Sequence, residues 1–312
     1  MNSPPRETAS RLEYLLRSRQ FVITAEVTPP VSCDAADLLS KALPLRGLAD
    51  AVNVTDGASA RAHLSAPIAA AMLAREGIEP ILQFTCRDRN RIALQGELMG
   101  AAACGVRNLL CLTGDDPKAG DQPDTKAVFD VDSATLTTMA RDLRDKGVLP
   151  SGRKVAGRAQ FFLGAADVPI DPPPGWRPDK LAAKIAAGAE FAQTQFCMDA
   201  GIVRRYAARL AEHATTRGLF LLVGIAPLRS AKSARWMAQH LYGTIIPEAL
   251  IERLERAADP AAEGTRIAID LIEELTQVPG VAGVHIMAPA NDAAVPEVIA
   301  AARKRLPQPK PA

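Results

Sequence analysis

Two carboxylates stand out in the sequence because each ends a short apolar run of the kind that forms a buried strand. Glu26 lies in TAEVTPP among apolar neighbours, where desolvation would favour the protonated form that a general acid needs. Asp115 follows Gly114 in LTGDDP, where glycine allows close backbone approach and the carboxylate can accept hydrogen bonds from a ligand. Each also has a plain structural interpretation, since Glu26 could pair with a buried Arg or Lys, and Gly-Asp-Asp-Pro is an ordinary turn.

Polar side chains in two further apolar runs suit hydrogen bonding to a heteroaromatic ring. Thr55 follows one run, and Gln193 and Gln195 belong to another, where strand alternation predicts that both share a face. Such residues can instead fill the upper interior of a barrel. The four histidines show no metal-ligand spacing, and no nucleophile elbow, phosphate loop or dinucleotide-binding glycine fingerprint is present. We therefore expect no metal, and redox chemistry would need a borrowed cofactor.

The elements that must position these side chains are eight short runs rich in β-branched residues, which alternate with amphipathic helical segments. The runs begin at Phe21, Asp50, Pro80, Asn108, Ala159, Phe191, Leu219 and Gly283. This pattern predicts an α/β fold, the (β/α)₈ TIM barrel, with its active site at the carboxyl ends of the strands. We predict a single domain over residues 1–312, with frayed termini at about 1–5 and 306–312.

Three connections are longer than a barrel requires. Residues 116–132 after strand 4 are dense in Gly, Pro and Asp, DVPIDPPPGWRP follows strand 5, and residues 226–277 hold extra helices between strands 7 and 8. Loops of more than about twelve residues are uncommon without a function, so the first and third are expected to cover a ligand. The proline-rich loop is equally consistent with a rigid surface connection.

Charge and composition exclude several classes of protein. The 37 basic and 35 acidic side chains are interspersed, so no field favours nucleic acid or a membrane surface. No segment approaches the roughly 20 apolar residues of a membrane span, and the polar N-terminus does not resemble a signal peptide. The five scattered cysteines predict reduced core residues. We expect a cytoplasmic protein that acts on a small molecule.

The blocks at the strand ends resemble the methylenetetrahydrofolate reductase family. The matching blocks run from about Phe21 to Ala302, and they are TAEVTPP, NVTDG, QFTCRDRN, LTGDDP with GDQPDTKAVFD, KIAAGAEFAQTQ and GVHIMAP. The resemblance implies a barrel that binds FAD, takes hydride from NADH or NADPH, and interconverts 5,10-methylenetetrahydrofolate and 5-methyltetrahydrofolate in ping-pong fashion. Two alternatives remain. One is the same chemistry run oxidatively in one-carbon or methoxy-group catabolism, and the other is a non-catalytic folate-binding or electron-transfer subunit.

Carried over residue by residue, the resemblance implies that Glu26 is the general acid, that Asp115 holds the folate beside the flavin, and that Gln195 binds the pterin edge. It further implies flavin contacts at Thr55, Gln83, Thr113, Gly114, Asp115, Gly164, Ala165, Ala166 and Lys184. Many relatives have His in place of Gln83. The chain departs from enterobacterial relatives after strand 5, and Ala231 stands where some relatives have a substrate-stacking phenylalanine.

A barrel lyase or aldolase with a Schiff-base lysine is a competing interpretation. Against it, the sequence places no lysine directly at a strand end. Neither the choice between NADH and NADPH nor the physiological direction follows from the sequence, and we expect a homo-oligomer.

Overall fold

The computed structural model describes residues 8–306 and contains a closed barrel of eight parallel strands in sequential order, which confirms the predicted (β/α)₈ fold. The strands are β1 Val22–Val27, β2 Ala51–Val54, β3 Pro80–Thr85, β4 Asn108–Leu112, β5 Phe162–Asp167, β6 Phe191–Phe196, β7 Phe220–Ile225 and β8 Val281–Ile286. The predicted frayed ends lie outside the described residues except for Leu306.

Eleven helices surround the described barrel. They are α1 Arg11–Arg17, α2 Ala35–Ala42, α3 Ala66–Arg75, α4 Arg91–Ala103, α5 Ser133–Lys146, α6 Asp179–Ala187, α7 Ala200–Glu212, α8 Ala231–His240, α9 Glu248–Arg256, α10 Pro260–Leu275 and α11 Val295–Arg305. Helices α8, α9 and α10 lie between β7 and β8. None of the described helices has the length and apolar character needed to cross a membrane.

One end of the barrel interior is apolar, and we call these inward-facing side chains the lower layer. They are Val22, Ala51, Ile81, Leu110, Phe162, Phe191 and Leu222. The rings of Phe162 and Phe191 stack with centroids 4.9 Å apart. Helix α1 closes this end because its leucines join the same buried cluster. The barrel interior is therefore filled, and covered by α1, at the end opposite the expected site.

Above it lies a buried polar set, the upper layer, made of Thr24, Asn53, Gln193 and His285. The side-chain amides of Asn53 and Gln193 exchange two hydrogen bonds, of 2.6 and 3.0 Å. Gln193 Nε2 also donates to Thr24 Oγ1 at 3.2 Å, and this hydroxyl lies 3.0 Å from His285 Nδ1. Because every member has a polar partner, the layer forms a defined floor for the site above.

Asp50 joins β1 to the first and last helices of the described chain. Its buried carboxylate accepts hydrogen bonds from the Ile23 amide at 2.8 Å, from Arg11 at 3.1 Å and from Arg303 at 2.5 Å. The last contact lies beside the seam at which β8 pairs with β1 and closes the ring.

A second apolar core fills the space between the sheet and the helices. Cys86, Cys111 and Cys197 are buried there as predicted, and burial raises the pKa of the Cys86 thiol to about 11. Cys33 and Cys104 are exposed, so the prediction of core cysteines is wrong for these two. Both lie at helix boundaries, before α2 and at the end of α4, where the chain turns towards solvent.

Candidate active site

Glu26 is the penultimate residue of β1, and strand alternation points its side chain into the barrel, on the same face as Thr24. Its Oε2 atom accepts a hydrogen bond from Gln83 Nε2 at 2.8 Å and lies 3.6 Å from His285 Nε2. The side chain is 21% exposed. No Arg or Lys in the described part of the chain forms an ion pair with it, so the interpretation of Glu26 as a buried Arg or Lys partner fails there.

His285 links Glu26 to the upper layer. The Thr24 hydroxyl has one proton, which it can give either to the Val284 carbonyl at 3.2 Å or to His285 Nδ1 at 3.0 Å. In the first case Nδ1 carries the imidazole proton and donates it to the hydroxyl, and in the second case Nε2 carries the proton. The orientation of the Thr24 hydroxyl and the tautomer of His285 are therefore coupled.

The ends of β2 and β3 are locked together by Asp56. Its carboxylate accepts from the Thr85 amide and hydroxyl, both at 2.9 Å, and forms a bidentate pair with Arg89 at 2.7 and 2.9 Å. The neighbouring Thr55 is buried, and its Oγ1 has no hydrogen-bond partner among the described residues. An unpaired buried hydroxyl is costly, so this atom is available to a ligand at the mouth.

Asp115 lies exposed just beyond β4. It follows Gly114, whose φ of +95° favours glycine and where a β-carbon would make a tight contact of 3.0 Å with Arg87 Cβ. The hydrogen bond to Asp88 is the main cause that raises the pKa of Arg87, and the charge of Asp115 adds to it. Asp115 is thus a solvent-facing charge close to a buried guanidinium, and Thr113 before it is also exposed.

The three predicted flavin contacts on β5 have different surroundings. Gly164 faces inward against Phe191, since a β-carbon there would lie 2.3 Å from the ring. Ala165 is buried on the opposite, outer face of the strand. The Ala166 carbonyl accepts a hydrogen bond from Lys184 Nζ at 2.6 Å. Of the three, Ala166 alone shares an immediate contact with another predicted site residue, and their contact with a flavin stays a prediction.

Lys184 comes from α6, yet its amine lies at the carboxyl end of β5. The expectation that no lysine lies at a strand end is therefore wrong for the folded chain, because the Lys184 side chain reaches the end of β5 from a helix. Burial lowers the pKa of Lys184, against the charge of Asp167. Burial also raises the pKa of Asp167, against a 2.5 Å hydrogen bond from Tyr206. Trp176 of the proline-rich loop packs on the Tyr206 ring and anchors that loop.

Gln193 and Gln195, which strand alternation places on one face of β6, have different hydrogen-bond partners. The pairing of β6 with β7 shifts register between Gln193 and Phe196. Gln193 joins the upper layer, whereas Gln195 Oε1 accepts from the Phe196 amide at 3.0 Å. The amide nitrogen of Gln195 remains for a ligand. The residues that the sequence did not single out are His285 and Thr24, and the alternation of Thr24 with Glu26 on β1 was the available signal.

The loop of residues 116–132 leans over the neighbouring strand ends. Its Val128 amide donates to the Arg87 carbonyl at 2.7 Å. A β-carbon at Gly120 would lie 2.1 Å from the Ala60 carbonyl oxygen, so the loop also packs closely on the connection after β2. This covers the β2–β3 side of the mouth.

Comparison with known proteins identifies relatives. A family model described as methylenetetrahydrofolate reductase matches residues 11–303. A "Probable methylenetetrahydrofolate reductase (NADPH)" of Caenorhabditis elegans is 27% identical over 243 residues, covering 75% of this chain and 34% of the relative. "Methylenetetrahydrofolate reductase 2" of Schizosaccharomyces pombe is 26% identical over 235 residues, covering 70% and 34%. The chain spans about a third of the length of the curated relatives it matches.

Solved structures show the same fold at low identity. An uncharacterized protein from Clostridium thermocellum that binds two copies of 5-methyl-5,6,7,8-tetrahydrofolic acid has a TM-score of 0.63 at 13% identity, covering 94% of this chain and 98% of that one. An EDTA monooxygenase from Chelativorans has a TM-score of 0.55 at 13% identity, covering 91% and 94%. These likenesses concern the fold alone. Because the family model covers nearly the whole described barrel, the chain belongs to the methylenetetrahydrofolate reductase family.

Proposed function

We propose that the protein is a flavin-dependent oxidoreductase that interconverts 5,10-methylenetetrahydrofolate and 5-methyltetrahydrofolate, with NADH or NADPH as hydride donor. The observation that carries the proposal is the anchored, partly exposed carboxylate of Glu26 at the barrel mouth of a chain in this family. The printed name of the worm relative includes NADPH, and the clostridial protein binds a methylated reduced folate, which support the two substrate classes.

Glu26 is proposed as the general acid. Opening the five-membered ring of the substrate breaks a carbon–nitrogen bond, and the departing nitrogen takes a proton from the carboxyl group. The hydrogen bond from Gln83 holds this group in place, with His285 of the upper layer 3.6 Å away, and a fixed position is the condition for efficient proton transfer. In the reductive direction one proton is consumed per turnover, so Glu26 is protonated again from solvent after each cycle.

Asp115 and Gln195 are proposed to bind the folate ring. Asp115 offers an exposed carboxylate that can accept hydrogen bonds from the amino groups of a pterin. The side-chain oxygen of Gln195 already accepts a hydrogen bond from the Phe196 amide, so its Nε2 is the group offered to a ligand. A fixed negative charge and an oriented donor together favour one orientation of the ring.

The mouth also fits FAD. Thr55 supplies a buried hydroxyl without a partner, and Lys184 supplies a half-buried amine suited to a phosphate. Thr113 is exposed and Gly114 is partly exposed just beyond β4. We propose these residues, with Ala166, as flavin contacts. FAD, when bound, carries the hydride between nicotinamide and folate.

The decisive test follows the two half-reactions separately under anaerobic conditions. Bound flavin is reduced with NADPH or NADH and then reoxidised with 5,10-methylenetetrahydrofolate, in the wild type and in Glu26→Gln. We expect the variant to keep its rate of flavin reduction and to lose about 100-fold or more in reoxidation by folate, the usual contribution of a general acid.

Glu297→Gln, which neutralises an exposed carboxylate on α11, is the matched control and should leave both half-reactions unchanged. A wild-type protein that is colourless, takes up no added FAD and oxidises neither nicotinamide nucleotide would overturn the proposal. Folate binding without turnover by the isolated chain would instead favour the binding-subunit alternative.

A further inference from the structure

Gln83 was expected to contact the flavin, yet its side-chain amide is engaged with Glu26. It lies on β3, two strands away, and reaches across the inside of the barrel to place Nε2 at 2.8 Å from Glu26 Oε2. Gln83 is the one residue of β3 that is not fully buried, so this bond lies at the mouth rather than in the core.

The contacts to the Glu26 carboxylate are unequal. Gln83 Nε2 and His285 Nε2 both converge on Oε2, at 2.8 and 3.6 Å. Among the described residues, no hydrogen-bond donor reaches Oε1. One oxygen of the carboxylate is therefore held by the protein, while the other is left to substrate.

This division suits an acid that must lose its proton without moving. With the proton on Oε1, Oε2 is the carbonyl oxygen and still accepts from Gln83. When the proton leaves, the same bond persists and becomes charge-assisted, which strengthens it as negative charge develops. The Gln83 amide does not titrate, so it remains a donor in both states.

We propose that Gln83 is a positioning residue for Glu26, which fixes Oε2 and thereby presents Oε1 as the oxygen that gives its proton to the folate. The inference rests on the proposed function and deepens it. It assigns Gln83 to the folate half-reaction, in contrast to a flavin contact, which would affect both half-reactions.

The test compares Gln83→Leu, which removes the donor at similar size, with Gln83→His, which restores a donor. We expect Gln83→Leu to slow flavin reoxidation by 5,10-methylenetetrahydrofolate about 10- to 100-fold, the range for a lost charge-assisted hydrogen bond. Flavin reduction and flavin content should change less than about twofold, and Gln83→His should recover most of the lost rate. Gln277→Leu, at an exposed glutamine, is the control for surface and folding effects.

A double variant separates action through Glu26 from an independent role. In the Glu26→Gln background, adding Gln83→Leu should cost less than about threefold, because the group that Gln83 positions is already disabled. Equal loss in both half-reactions, loss of flavin, or full additivity with Glu26→Gln would overturn the assignment of Gln83. A wild type that fails to reduce folate would overturn the proposed function instead.

Discussion

The lower and upper layers of the barrel interior share β1, β2 and β6, on which their residues lie two positions apart, but the layers differ in chemistry. Val22 is followed on the same face by Thr24, and Phe191 by Gln193. The lower layer is an apolar cluster that α1 covers, whereas the upper layer is held by hydrogen bonds. The lower layer supplies burial free energy, and the upper layer supplies the orientation of the groups above it.

The largest loss of unfolding free energy is expected from Phe162→Ala in the lower layer, and this variant tests the comparison most directly. Removing a fully buried ring stacked on Phe191 should lower the free energy of unfolding by about 3–5 kcal/mol. Denaturant unfolding measures it, with Phe129→Ala in the exposed loop as a control that should change it by less than about 1 kcal/mol. A loss below 1 kcal/mol at Phe162 would show that the lower layer is not the stabilising one.

An intermediate effect is expected from Asn53→Ala in the upper layer. The variant leaves the buried Gln193 amide without its reciprocal partner, which should cost about 1–3 kcal/mol of unfolding free energy. It should also slow the folate half-reaction, because the floor beneath Glu26 loosens. Unchanged turnover with lowered stability would mean that the upper layer has no orienting role.

The smallest change in stability is expected from Thr24→Val. Gln193 keeps both bonds to Asn53, so the lost hydroxyl should cost about 0.5–1.5 kcal/mol. Loss of the hydroxyl that contacts His285 Nδ1, beside Glu26, should nevertheless affect folate reduction more than stability. Stopped-flow measurement of flavin reoxidation by folate and thermal unfolding of the same variant separate the two effects. A loss of stability as large as that of Phe162→Ala would contradict the comparison of the two layers.

The fold was predictable because it depends on local pattern. Eight apolar runs with intervening amphipathic segments specify a parallel barrel whatever the details of each contact. The places of Glu26 and Asp115 at strand ends followed from that alone.

The site contacts were less predictable because they depend on geometry across the barrel. The hydrogen bond between Gln83 and Glu26 joins β3 and β1, which are not adjacent, and no pattern in the sequence of either strand predicts it. Alternation does not predict that the Gln195 amide oxygen accepts from the Phe196 backbone, beside a register shift between β6 and β7. Lys184 reaches a strand end from a helix, so a search along the strands alone passes over it.

The hydrogen bond between Asp50 and Arg303 can form only late in folding. Asp50 and Arg303 are 253 positions apart, and the β1–β8 seam beside them spans a similar distance. Closing so long a loop is entropically slow compared with forming neighbouring βα units. During synthesis β1 therefore keeps one edge unpaired until β8 has emerged, and this exposed edge is where we expect chaperone binding or misassembly to occur.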